Sequence, residues 1–267
     1  MISVKILDNS GKERTSLAGE DINLKVSGFS EGDKIIIEAG GCEYIAVQLD
    51  ASLKESIVSI PGGVYSFNVP TGQRLLPYCP GAFEGECEIK VRIPSDEEIY
   101  AYRNLALNTA DQRGAEGIYP HASANFVTRD EFVFEERNSI DGVVENVGHG
   151  KYPFQSWAGG AREDIDYKLN FGRKIKCDKI AFYLRAEFHN DHDTYWKTLN
   201  VEFSDGTKIP MNFEKTADVQ VLQLAEPVTT EFIRLIDFKQ ATEQLSWAAL
   251  TQIEVYGNIL IDEGTKQ

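Results

Sequence analysis

RAEFHNDHDTYWKTLNVEFSDG, residues 185–206, decides the fold class of this chain. The stretch opens as the end of a strand and passes into a loop holding His189, His192, Glu187, Asp191 and Asp193. It then returns to a strand in which Leu199, Val201 and Phe203 alternate with polar residues, and Asp205-Gly206 closes it. Alternation of period two bounded by an Asp-Gly turn is how a half-buried strand reads in sequence. Loops carried on rigid strands are where such proteins place binding groups.

The same pattern extends in both directions. Upstream, residues 2–7, 22–26, 34–38, 44–49, 56–60, 64–69 and 86–93 are short runs rich in Val and Ile, separated by Gly, Asn, Asp or Pro. They predict a small β-sandwich over residues 1–95, with 70–84 as a long Pro- and Gly-containing loop. The polar step at 94–103 suits a linker or a single helical turn. Around the opening stretch, strands are expected at 166–171, 179–184, 197–203, 208–212, 219–224, 232–238 and 251–256, the run at 232–236 being apolar enough to be buried on both faces. Spacings of about ten residues with few amphipathic helices indicate a second β-sandwich of jelly-roll type over 103–258, followed by a tail at 259–267. The expectation is an all-β protein of two β-sandwich domains.

Composition narrows the function. A net charge of −15 argues against nucleic acid or an anionic membrane surface, because phosphate binding needs concentrated Lys and Arg. No apolar run approaches the roughly 18 residues of a membrane span. The start, MISVKILDNSGKE, reads as a strand with no signal peptide, which points to a cytoplasmic protein and leaves an extracellular one open. Cys42, Cys79, Cys87 and Cys177 match no zinc spacing; free thiols are the preferred reading, a Cys79–Cys87 disulfide the other.

Four segments carry a family resemblance. They are Asn104-Leu105-Ala106, then Arg137-Asn138-Ser139-Ile140-Asp141-Gly142, then Gln155-Ser156-Trp157, and the closing Leu250-Thr251-Gln252-Ile253-Glu254-Val255-Tyr256-Gly257. In this order they resemble the galactose-binding-like sandwich, the discoidin or coagulation-factor-type-C fold shared by many carbohydrate-binding modules. The insertion at 143–155 and the His192-Asp193-Thr194-Tyr195-Trp196 segment resemble a branch associated with bacterial proteins of carbohydrate metabolism. The resemblance implies sugar recognition by end loops. It also implies a structural calcium near Asp141, although the glutamate that family members place in the last strand is here Gln252. An Asx turn at Asp141-Gly142 is the competing reading.

A sugar offers an apolar face and a rim of hydroxyls, so its site needs a flat aromatic ring and bidentate polar groups. Tyr195 or Trp196 is the candidate platform, with Arg185, His192 and Asp193 on the rim, an inward strand residue being the other reading of Trp196; His149 and Tyr152 of the insertion would form a second wall. Trp157 reads as a core residue. His189 and His192 with the flanking aspartates have zinc-ligand chemistry but an unsuitable loop setting. The carboxylates of 187–193 cluster on one loop and do not flank a bond, so glycoside cleavage ranks third. The leading expectation is non-catalytic binding of a neutral glycan. A protein–protein or homo-oligomeric assembly module is the alternative.

Overall fold

The computed structural model describes residues 1–162, 164–188, 194–241 and 247–260. The chain is all-β, built from antiparallel sheets. Two four-stranded sheets face each other in its first part. One runs β2 (Glu13–Gly19), β1 (Ile2–Leu7), β4 (Lys34–Glu38), β7 (Val64–Asn68); the other runs β3 (Asp21–Ser27), β8 (Glu86–Arg92), β5 (Tyr44–Gln48), β6 (Ser56–Ser59). Period-two alternation does the work here. Ile2, Val4 and Ile6 of β1 and Ile22, Leu24 and Val26 of β3 point inward and are buried. Strand β2 is absent from the sequence reading because it buries no residue; it forms a solvated edge.

The loop at 70–84 is better packed than its Pro and Gly content suggests. Phe83 enters the first core, its ring 5.6 Å from Phe67 and 5.4 Å from Tyr78, and its backbone N–H donates to Asp50 at 2.9 Å. Cys87 donates its thiol to the same carboxylate, and all four cysteines are free. The step at 94–103 contains α1 (Asp96–Tyr100), opened by a capping box in which Ser95 and Glu98 satisfy each other's backbone N–H groups.

The rest of the chain forms one sheet bent over itself, in the order β13 (Lys208–Asn212), β12 (Trp196–Phe203), β14 (Gln220–Gln240), β11 (Tyr167–Leu184), β15 (Leu250–Ile259), β9 (Arg103–Asn104), with β10 (His121–Ala124) beside β11. The strands expected separately at 166–171 and 179–184 are a single element, β11; those at 219–224 and 232–238 are joined in β14. Register shifts at Asn170/Ile175 and Cys177/Lys179 let each long strand cross from one layer to the other. Gly172 sits at the first shift with φ +67°, where a Cβ would fall 2.4 Å from the Tyr119 ring. The 232–236 run is buried on one face only, through Ile233 and Leu235.

The two cores are joined by a polar seam. Tyr65 donates to the Ala110 carbonyl at 2.7 Å, Ser59 and Tyr119 exchange two backbone hydrogen bonds at 2.9 Å, and the Tyr152 N–H donates to Leu76 at 2.8 Å. Ala110 and Ile118 belong to the first core although they follow α1 in sequence.

Candidate functional site

Three segments converge where β11 ends. The Arg185 N–H donates to the Ala249 carbonyl at 3.0 Å, placing the residue after β11 beside the approach to β15. The Ala186 N–H donates to Asn146 at 2.7 Å, and the Asn146 amide donates to the carbonyls of Leu184 at 2.9 Å and Ala217 at 2.8 Å. Asn146 thus pins the insertion at 143–155 to the strand end and brings His149 to Glu187, whose carboxylate it hydrogen-bonds through Nδ1. The Thr128 N–H and hydroxyl both donate to the Ala158 carbonyl, at 2.9 and 2.8 Å, which adds a third loop.

A cavity of about 130 Å³ lies among these loops. Its floor is a small separate core that includes Phe134, Ala158 and Ala249. His149 and Arg185 stand on its walls with Trp247, a large apolar ring left 42% exposed. The Arg185 guanidinium is almost wholly buried and donates to the Trp247 carbonyl, which holds its plane at the cavity wall. Arg129 packs its guanidinium 5.2 Å from the Phe134 ring centroid and pairs with Glu131 at 2.8 Å. Arg129 and Asp130 hold φ of +54° and +56°, a left-handed pair without glycine, so the loop is shaped at a conformational cost.

The residues singled out in the sequence divide. Arg185 and His149 meet in this cavity. Trp196 is not a platform: it is fully buried, its ring 4.8 Å from Phe238 and 5.7 Å from Trp157. Tyr195 is half-buried against the second core, edge-on to Phe188 at 6.2 Å. Tyr152 does not join the wall with His149; it lines a different cavity with Cys79, Asp141 and Gln155, against the first sandwich. His192 and Asp193, like His189 and Asp191, lie outside the described residues. Trp157 is fully buried and donates Nε1–H to the Phe126 carbonyl at 3.2 Å.

Trp247 and Phe134 were missed. Trp247 stands in a Ser-Trp-Ala-Ala run with no strand alternation of its own, so only its placement beside Arg185 marks it.

The donors around Asp141 do not fit calcium. Its Oδ1 accepts the Val143 N–H and its Oδ2 the Gln155 amide, both at 2.8 Å. The Lys54 ammonium donates to the Gly142 carbonyl at 2.5 Å, which puts a positive charge where a metal would want a free oxygen. Gln252 accepts the Gly142 N–H at 3.2 Å in place of an acid. Burial pushes the Asp141 carboxyl up to about 6. The arrangement is an Asx turn tied to the last strand. Among the described residues no group of three or more His, Cys, Asp or Glu is gathered as a metal site.

No protein-family model matches the chain, and no curated protein matches it. Among solved structures it is similar to carbohydrate-binding modules. One is a chitosan-binding module of a chitosanase/glucanase from Paenibacillus sp. IK-5, with 17% identity and a TM-score of 0.40 over 58% of this chain and 100% of that one. Another is a Streptococcus pneumoniae fucose-binding module, with 9% identity and a TM-score of 0.41 over 62% and 100%. A third is the family 32 module of C. perfringens NanJ in complex with galactose, with 17% identity and a TM-score of 0.35 over 51% and 91%. At these identities the likeness says nothing about what this chain binds.

Proposed function

We propose that the chain is a non-catalytic carbohydrate-binding protein that takes a neutral glycan at the cavity between Trp247, Arg185 and His149. One observation carries this reading: an exposed indole stands beside a buried, oriented guanidinium and a His149–Glu187 pair, at the loop end of a β-sandwich. The indole supplies an apolar face for the sugar ring. The guanidinium and the imidazole–carboxylate pair supply directed partners for hydroxyls. The cavity is small and open loops surround it, so a single sugar residue is the unit recognised. Affinity in the range of ~10 µM to 1 mM, about 4–7 kcal/mol, suits a site of this kind.

The test is a glycan array on the full chain, followed by calorimetric titration of the best ligand with Trp247→Ala and Arg185→Lys. Neutral hexosides, deoxyhexosides and N-acetylhexosaminides belong on the array, since each offers an apolar face and a rim of hydroxyls. Saturable binding is expected, reduced at least about tenfold in both variants, a loss of ~1.4 kcal/mol or more. Adding calcium or a chelator is expected to change nothing, given the donors at Asp141. A blank array from folded protein, or binding indifferent to both substitutions, rejects the reading.

A further inference from the structure

The seam between the two sandwiches holds a second and larger cavity, about 630 Å³, which shares no lining residue with the Trp247 cavity. Tyr44 and Cys42 of the first sandwich face it, with Arg173 and Lys174 of the β11 bend. Arg173 lies over the Tyr44 ring, 4.5 Å from its centroid. Arg103, at the start of β9, stands outside the cavity lining. Burial, and after it the charge of Arg173, lower its pKa to about 10.

Two guanidiniums close enough to repel each other are an unusual thing to keep in a chain with net charge −15. Neither makes an ion pair among the described residues. Four of their nitrogens, Nε and Nη2 of Arg103 and Nε and Nη1 of Arg173, are buried without a hydrogen-bond partner. The one described bond is Arg103 Nη1 to the neighbouring Asn104 carbonyl at 3.3 Å. A buried donor left unmade costs about 1–3 kcal/mol, and more when charged, so such a cluster needs an acceptor. Planar forks of N–H groups are matched best by the paired oxygens of a carboxylate or phosphate.

We infer that this cavity is an oxyanion site, in which Arg173 receives a carboxylate or phosphate group of a small ligand. Lys174 adds a second positive charge at the cavity wall, and Glu43 and Glu231 bound it with negative charge that limits its affinity. The site is built from both sandwiches, so a bound anion would tie the first core to the second. It is independent of the sugar cavity and does not rest on that reading.

The test is calorimetric titration of the full chain with inorganic phosphate and, separately, with galacturonate, alongside thermal unfolding. Binding is expected for at least one, with a raised Tm and a loss of at least about tenfold in Arg173→Gln, the range set by one charge-assisted contact of ~1.4 kcal/mol. Tighter phosphate binding identifies a phosphorylated ligand; tighter galacturonate binding identifies an acidic sugar. Glu43→Gln, which removes a repelling carboxylate but keeps an acceptor beside the Tyr44 hydroxyl, should tighten binding and serves if Arg173→Gln fails to fold. Trp247→Ala should leave anion binding unchanged. No binding and no Tm shift with either anion overturns the inference, as does binding that both Arg173→Gln and Glu43→Gln leave unaltered.

Discussion

Trp157, Trp196 and Trp247 are the chain's three tryptophans, and their surroundings give them different work. Trp196 illustrates why the sequence misled. Leu199, Val201 and Phe203 face inward, so strict alternation would turn residue 196 outward. Register shifts between Trp196/Thr198 and Thr198/Asn200 reset the phase and bury it. Trp196→Ala is therefore expected to cost about 3–5 kcal/mol in urea unfolding, whereas Trp247→Ala should stay within about 0.5 kcal/mol while weakening sugar binding at least about tenfold. Glu136 supplies a second prediction at this scale. It is almost wholly buried, Oε2 has no hydrogen-bond partner, and burial pushes its carboxyl up to about 7. The unfolded chain loses that proton nearer 4.5, so between these values the folded state binds more protons. Stability should fall as pH rises across that window, because the folded state must then hold a buried charge. Asp141, raised to about 6, acts with the same sign. Glu136→Gln should flatten the decline by an order of 1–3 kcal/mol at about pH 8, measured by unfolding at about pH 5 and 8.

Elements were legible wherever one face was buried. The first-sandwich strands expected from alternation all occur, within a residue or so at their ends, because inward Ile and Val positions enforce both strand and register. Strand β2 was not legible, since it buries no apolar face and is held by backbone pairing with β1 and by Arg14 bonded to Asp33 and the Gly28 carbonyl. Nor was the continuity of β11 and β14: the segments between their apolar halves look like turns, and only pairing with neighbours keeps them extended. Gly172 makes the β11 bend feasible. Gly172→Ala is expected to destabilise by about 2–4 kcal/mol, since a left-handed φ and the Tyr119 ring both oppose a Cβ. A midpoint within about 0.5 kcal/mol of the parent would show that the bend tolerates rearrangement.

At the scale of the molecule, the seam decides how the sandwiches behave. Tyr65, Ser59 and Lys54 of the first bond to Ala110, Tyr119 and Gly142 of the second, and the Arg137 guanidinium covers the Tyr78 ring at 4.4 Å. Residues 110 and 118 complete a core begun a hundred residues earlier. The two are expected to unfold in a single calorimetric transition, with a van't Hoff enthalpy equal to the calorimetric one. Two resolved transitions would show that the seam contributes little.

Arg185 and His149 stand out in the sequence as a guanidinium and an imidazole on strand-end loops, and the structure brings both to one cavity. Their pairing was not legible, because Arg185 meets the Trp247 carbonyl and His149 meets Glu187 across loops distant in sequence. By itself the sequence determined the strand class and the two cores, through a two-residue period that holds wherever a strand has one dry face. Tertiary structure alone decided which tryptophan meets solvent, that Asp141 is held by amides and beside an ammonium, and that Arg173 lies over Tyr44 at the seam with Nε and Nη1 unbonded. Each of these depends on bulges that shift side chains between faces and on long-range contacts, and local alternation carries no record of either.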